Sequence, residues 1–261
     1  MVRKNKSSRK AVLLGSKTAK AGFKNEDFII NEFNNWTGSD IAKESLIKMG
    51  YVLKEIKNVF AIKIHGYKTD VQIEVIVITK RVADFQNLQV KLVSNESSGG
   101  NQIDKRWLDK YKEMWDIPED VLEILKLYTG EKKHDRLDTR DKRRLFLDEV
   151  EESDKDKILK FFSENKILVL NDIIKGRGKF AAEWIMVINK KKKNSKKVLR
   201  WCILPINKVI NYFNKGRVEI TNRGNLKIGK VTGQRKGGDG GRTTSQMLQF
   251  KINPLLCFEI A

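Results

Sequence analysis

Three polar residues stand where their types suit joint work on a phosphate ester: Asp70, Gln89 and Lys91. Asp70 follows a Gly-Tyr-Lys-Thr turn and opens a run in which Val71, Ile73, Val75 and Val77 alternate with other residues. After eighteen intervening residues, Gln89 and Lys91 alternate with Leu88, Val90 and Leu92. Strand side chains point to opposite faces in turn, so Gln89 and Lys91 share one face and the aliphatic residues take the other. If the two runs form a hairpin, the start of the first lies beside the end of the second, and Asp70 sits next to Gln89 and Lys91. Hydrolysis of a phosphodiester calls for a metal that polarises the phosphoryl oxygen and lowers the pKa of the attacking water. Magnesium accepts oxygen ligands and needs only one or two carboxylates. Asp70 supplies the carboxylate, and the Gln89 side-chain oxygen and the Val90 carbonyl supply neutral ligands. Lys91 orients or deprotonates the water, or neutralises the charge of the pentavalent phosphorane.

The elements that hold these residues follow from periodicity. Residues 22–35 place Phe23, Phe28 or Ile29, and Phe33 on one helical face, and 39–49 read as a second helix stopped at Gly50. Residues 58–65, 71–78 and 85–93 are rich in Val and Ile and read as three consecutive strands, with a loop by composition over 94–101. Helical spacing returns over 102–116, and Pro118 to Gly130 is a further helix. Residues 131–144 carry dense charge of both signs, and 154–164 look helical. Strands at 181–189 and 197–204 flank a lysine-rich hairpin, Lys190 to Lys197, before a short helix from Pro205 to Phe213. An antiparallel set over 217–221, 225–233 and 245–252 closes the chain. The expected architecture is one α/β domain over residues 13–261, with a catalytic half at about 13–116 and a β-rich half at about 165–261. A disordered basic arm, residues 1–12, precedes it.

Bulk properties narrow the partner. The 261-residue chain carries 53 Lys plus Arg against 33 Asp plus Glu, a net charge of +20. Such an excess attracts polyanions, and nucleic acid is the default. No apolar stretch is long enough to span a membrane, and no secretory signal follows the basic start of the chain. Cys202 and Cys257 lie in apolar runs and read as free thiols in a reducing cytoplasm. His65 and His134 are isolated, which argues against zinc.

The pattern Thr69-Asp70, eighteen residues, Gln89-Val90-Lys91 resembles the PD-(D/E)XK nuclease motif, with Gln in place of the acidic residue. An Asp followed by QxK on a strand also occurs by chance, so the three residues alone leave ordinary surface polars open. Longer stretches carry the resemblance further. LGSKTAKAGFKNED (14–27), GYKTD (66–70), NLQVKLVSN (87–95), NQIDKRWL (101–108) and YKEMW (111–115) are among them. So are LVLNDIIKGRGKFAAEW (168–184) and GQRKGGDGGRTTSQMLQFKINP (233–254). They closely resemble the type II restriction endonucleases that recognise GCGC and cut after the first G. The resemblance implies a restriction-endonuclease-like fold, a mixed central β-sheet flanked by helices. It also implies a magnesium-dependent nuclease acting on double-stranded DNA as one monomer per site, paired with a methyltransferase that shields host sites. It carries the catalytic roles onto Asp70, Gln89 and Lys91. Glu26 falls in a matching helix, either as a further carboxylate near the metal or as a solvated residue. The chain departs from the pattern in its extra 1–10 arm, its more basic Lys190–Lys197 run, and a longer loop with Gly99-Gly100 in place of an aromatic.

Two segments are candidates for reading bases. Asn101, Gln102 and Lys105 match the family's recognition segment and are expected at the start of a helix, with Gln102, Lys105 and Arg106 on one face. Gln234, Arg235, Lys236, Asp239 and Arg242 surround four glycines in a tight loop, whose backbone can approach DNA closely. Phosphate contact for the first segment and a plain flexible hairpin for the second remain the alternatives. Gly176-Arg177-Gly178 is a weaker candidate for phosphate contact, and Lys190–Lys197 and the basic arm read as nonspecific. Two other classes stay open beside the nuclease: a catalytically silent DNA-binding protein, and a sequence-independent repair nuclease on the same fold.

Overall fold

The computed structural model describes residues 24–77, 83–93, 100–190, 198–237 and 242–261. The described residues fall into two compact units through which the chain passes alternately. The first unit takes in Lys17–Gly99, Ile174–Ile210 and Asn253–Ala261, and the second takes in Gly100–Ile173 and Asn211–Ile252. The division does not follow the two halves of the chain. The basic arm expected over residues 1–12 and the run 191–197 lie outside the described residues.

The first unit is built on a mixed five-stranded sheet. Its strands are β1 (Ile56–Lys63), β2 (Val71–Val77), β3 (Asp84–Val93), β5 (Trp184–Lys190) and β6 (Val198–Pro205), in that spatial order. Only β3 and β5 run parallel. A parallel pair needs a long crossover, and here the chain builds most of the second unit before it returns as β5. The helices α1 (24–34) and α2 (Asp40–Lys48) cover one face. Ile29, Phe33, Ala42 and Leu46 bury there against Val71, Ile73, Leu88, Val90 and Met186. Ser39 caps α2, its hydroxyl accepting from the Ala42 N–H. The Asn34 amide docks α1 on the edge strand β1 by exchanging two hydrogen bonds with the Ala61 backbone. On the opposite face, β5 and β6 bury Ile185, Val187, Cys202 and Leu204, and the polar residues gather at β2 and β3.

The second unit has its own five-stranded antiparallel sheet. In spatial order it runs β4 (Asn101–Arg106), β10 (Leu248–Ile252), β9 (Val231–Arg235), β8 (Leu226–Ile228) and β7 (Val218–Ile220). The helices α3 (Leu108–Trp115), α4 (Glu119–Thr129), α5 (Glu152–Glu164) and most of α6 (Lys166–Ile174) belong to this unit. Its core is aromatic. Tyr111 stacks on Trp115 at 4.4 Å, and Phe250 of β10 meets both edge-on. Polar atoms drawn into this core are paired: Trp115 Nε1 donates to Asp172, and the Tyr128 hydroxyl lies 3.0 Å from both Gly233 C=O and Asn225 Oδ1. Gly130 ends α4 in the left-handed conformation at φ 81°, as a glycine stop should. A last short helix, α7 (Ile206–Phe213), follows β6.

One expectation is corrected. Residues 101–106 are not the start of a helix but the strand β4, and α3 begins only at Leu108. The spacing of Ile103, Trp107 and Tyr111 fits a helix, yet pairing with β10 overrides it. A bulge at Ile103 turns both Ile103 and Asp104 inward, which hides the two-residue period that would have marked a strand. The short helix α6 was not anticipated either, because Leu168, Val169, Leu170, Ile173 and Ile174 are too continuous to show a face.

Phe250 is fully buried against the stacked pair Tyr111 and Trp115. Phe250→Ala should therefore lower stability by about 3–5 kcal/mol, read as a shifted urea midpoint. A change below about 1 kcal/mol would mean that the aromatic cluster is not the core of this unit.

Candidate active site

The hairpin β2–β3 decides the geometry. Val71 pairs with Leu88 and Gln72 with Asn87, and the Gln72 and Asn87 side chains hydrogen-bond at 3.0 Å. Continuing that face outward brings Asp70 to Gln89, with Lys91 two residues beyond. The other face carries Val71, Leu88 and Val90 into the core beneath α1 and α2. Asp70, Gln89 and Lys91 are thus held on one face by the burial of their neighbours on the other.

Asp70 is fixed at three atoms. Its N–H donates to Leu88 C=O and its own C=O accepts from Ile64 N–H, each at 3.0 Å. Its Oδ2 accepts the Val90 N–H at 2.7 Å. In an extended strand a residue's N–H and C=O point to the same edge, so the Val90 carbonyl also faces Asp70. Gln89 is 2% exposed, and its Oε1 is buried without a hydrogen-bond partner among the described residues. A buried acceptor left unpaired is unfavourable by about 1–3 kcal/mol, which a cation at that oxygen would relieve. Neither Asp70 nor Lys91 has an ion-pair partner among the described residues. The donor set is therefore one carboxylate, one orphaned amide oxygen and one backbone carbonyl, all hard oxygens that fit magnesium. Among the described residues there is no group of three or more His, Cys, Asp or Glu that could hold a metal. Glu26 is engaged elsewhere, 2.9 Å from Lys63.

A loop after α6 braces both strands of this hairpin. The Thr69 hydroxyl, fully buried, donates to Phe180 C=O at 2.8 Å. Asn87 donates from its side chain to Lys179 C=O and from its backbone to Glu183 Oε2, both at 2.8 Å. Gly176 lies so close that a Cβ there would come within 2.5 Å of Lys68. This loop, Asn87 and Gln72 line a cleft of about 410 Å³ whose walls include Phe85 and Phe180. Sequence reasoning missed Thr69 and Asn87 as supports. The signal available was weak, since each is a lone polar residue next to the motif.

In the second unit, the bulge at Ile103 brings Gln102 and Lys105 to the same exposed face of β4. The register carries that face across the sheet. Gln102 pairs with Lys251, Lys251 with Thr232, Thr232 with Lys227, and Lys227 with Glu219; Lys105 pairs with Gln249, and Gln249 with Gln234. Lys251 was missed on this face, although Gln249-Phe250-Lys251 repeats the polar–apolar–polar alternation of Gln89-Val90-Lys91; Gln249 itself is buried and donates its amide to Lys236 C=O. Arg235 pairs with Leu248 and so lies on the opposite face from Gln234. There burial, and then Arg143 and Arg144, hold its pKa below the usual arginine value. Asn101 is half-buried at the start of β4, Lys236 donates its N–H to Met247 C=O, and Arg242 is exposed. Asp239 lies outside the described residues.

The sequence model of the R.HinP1I restriction endonuclease family matches residues 49–258. The chain belongs to that family. The match spans both the hairpin carrying Asp70, Gln89 and Lys91 and the polar face of the second sheet. Membership in the R.HinP1I family implies a nuclease. Among the curated proteins, none matches the chain. Among solved structures, the fold is similar to that of the restriction endonuclease MspI in complex with its cognate DNA, with a TM-score of 0.64 over 92% of each chain. At 12% identity this likeness shows the shared mixed α/β fold and nothing finer. Among the described residues, no helix is long and apolar enough to cross a membrane.

Thr69→Val keeps the shape of the buried side chain and leaves Phe180 C=O without its partner. It should lower stability by about 1–3 kcal/mol, measured by urea denaturation beside Thr69→Ser, which should recover most of the loss. Equal stability of wild type and Thr69→Val would remove the brace from this account.

Proposed function

We propose that the protein is a magnesium-dependent type II restriction endonuclease that cuts double-stranded DNA at GCGC, after the first G, with one active centre per monomer. The observation that carries the reading is the unpartnered Gln89 oxygen buried beside the Asp70 carboxylate. Asp70, Gln89 and the Val90 carbonyl would hold the ion. Magnesium bound there supplies Lewis acidity to the phosphoryl oxygen and makes the attacking water more acidic. Lys91, on the same face, orients that water or takes up its proton, and its charge opposes that of the phosphorane.

The polar face of the second sheet is the reading surface. Lys105 suits guanine O6 and N7, and Gln102 and Gln234 suit base edges. Lys251 extends the same surface, and Asn101, Lys236 and Arg242 lie at its margins. Support comes from the register that gathers these residues and from the net charge of +20. Arg235 no longer fits a base-reading role, because it faces the core side. The two thiols, both buried and free, suit a reducing cytoplasm.

Digestion of plasmid DNA with magnesium, with the ends mapped, tests this directly. Wild type should give ends at GCGC. Lys91→Ala should slow cutting by about 10²–10³-fold and keep DNA affinity, while Asp70→Ala should not cut. Binding without cutting by wild type would leave a silent DNA-binding protein, and cutting without sequence preference would leave a repair-type nuclease.

A further inference from the structure

The polar face of the second sheet does not end at its base-reading residues. From Thr232 and Gln234, which line its inner side, it opens into a cleft of about 600 Å³ that reaches the β7–β8 edge. Arg217, Arg223 and Lys227 line it, with Glu219 as its one carboxylate. Glu219 accepts from Lys227 Nζ at 2.8 Å and from Arg217 Nε at 3.0 Å, and Lys227 foremost holds its pKa below the usual range. Three cations against one carboxylate leave a net of two positive charges. Arg217 is 85% exposed, so the outer part of its guanidinium faces solvent, and Arg223 has no partner among the described residues.

The turn that presents Arg223 is rigid. Gly224 N–H donates to Thr221 C=O at 2.7 Å, and Gly224 C=O accepts from Leu147 N–H at 3.1 Å. Gly224 sits at φ 68°, where a Cβ would crowd Asp148 and Phe146. The next residue, Asn225, accepts from the buried Tyr128 hydroxyl. A cationic cleft that is already ordered is not merely a solvated loop. It can bind anions without first being ordered.

Its distance from Lys105 identifies the anion. β4 and β7 are separated by four strand spacings of about 4.8 Å, roughly 19 Å in all. At about 3.4 Å per base step that is five to six base pairs, more than the GCGC site holds. We propose that the β7–β8 cleft is a sequence-independent grip on backbone phosphates of the DNA flanking the recognition site. This rests on the reading of the sheet face as the DNA surface. Arg217 and Arg223 are its principal contacts, and they lengthen the footprint without changing the sequence read.

The test compares wild type with R217A/R223A on two duplexes carrying a central GCGC, one of eight base pairs and one of twenty, with calcium in place of magnesium. Wild type should bind the longer duplex more tightly. R217A/R223A should lose about tenfold on the longer duplex and nothing on the shorter. Its slope of log K against log salt should fall by about 1.8, that of two lost phosphate contacts, and its preference for GCGC over a scrambled duplex should persist. Arg→Lys at both positions should restore most of the affinity, which excludes a folding defect. Equal binding by wild type and variant, or the same loss on both lengths, would overturn the grip. A scrambled duplex bound by wild type as tightly as GCGC would instead sink the sequence-reading proposal. A length effect persisting under that outcome would still support the grip.

Discussion

The proposed cleavage centre depends on one contact between strands: the Val90 N–H held by the Asp70 carboxylate at 2.7 Å. A hydrogen bond to a charged acceptor contributes about 1.5–3 kcal/mol. Here its use is positional. It occupies one carboxylate oxygen and leaves the other, and it sets Asp70 against the edge from which the Val90 carbonyl points, in the register that brings Gln89 opposite Asp70. The contact is specified by what lies on the reverse of the sheet. Val71, Leu88 and Val90 are buried under α1 and α2, and a one-residue slip would carry them to the polar face and Gln89 into the core. The apolar core sets the register, and the register sets the site.

This is why the centre was legible in the sequence. The alternation of Leu88, Gln89, Val90, Lys91 and Leu92 states both the strand and its two faces, and a hairpin to the Val71 run leaves little freedom in where Asp70 falls. The supports were not legible in the same way. Thr69 and Asn87 act through carbonyls of the loop at 179–180, over a hundred residues away for Thr69, and no local period announces such a partner. The helix read at 102–116 failed for a related reason. Whether residues 101–106 are helix or strand is decided by β10, nearly 150 residues downstream, and the bulge at Ile103 removes the alternation that would have given it away.

The second sheet repeats the logic of the first with different residues. β10 buries Leu248, Phe250 and Ile252 on one face, and the intervening Lys251 stands on the other with Gln102, Lys105 and Thr232, while Gln249 between them is buried. Neutral amides and single lysines suit base edges, whereas Arg217 and Arg223 stand at the far edge, where Glu219 pairs with Arg217 and Lys227 and leaves a positive excess. The same alternation explains why Arg235 and Gln234, adjacent in sequence, have different fates. One is drawn toward the core beside other arginines and the other stands on the polar face.

The central claim is that Asp70, Gln89 and the Val90 carbonyl form an oxygen site for a divalent ion. Anomalous diffraction from crystals soaked in manganese, a redox-quiet stand-in for magnesium here, tests it most directly. The account predicts an anomalous peak at ordinary metal–oxygen distance, about 2.0–2.6 Å, from the Asp70 carboxylate and Gln89 Oε1. Full occupancy of a site elsewhere, with none at these oxygens, would contradict it.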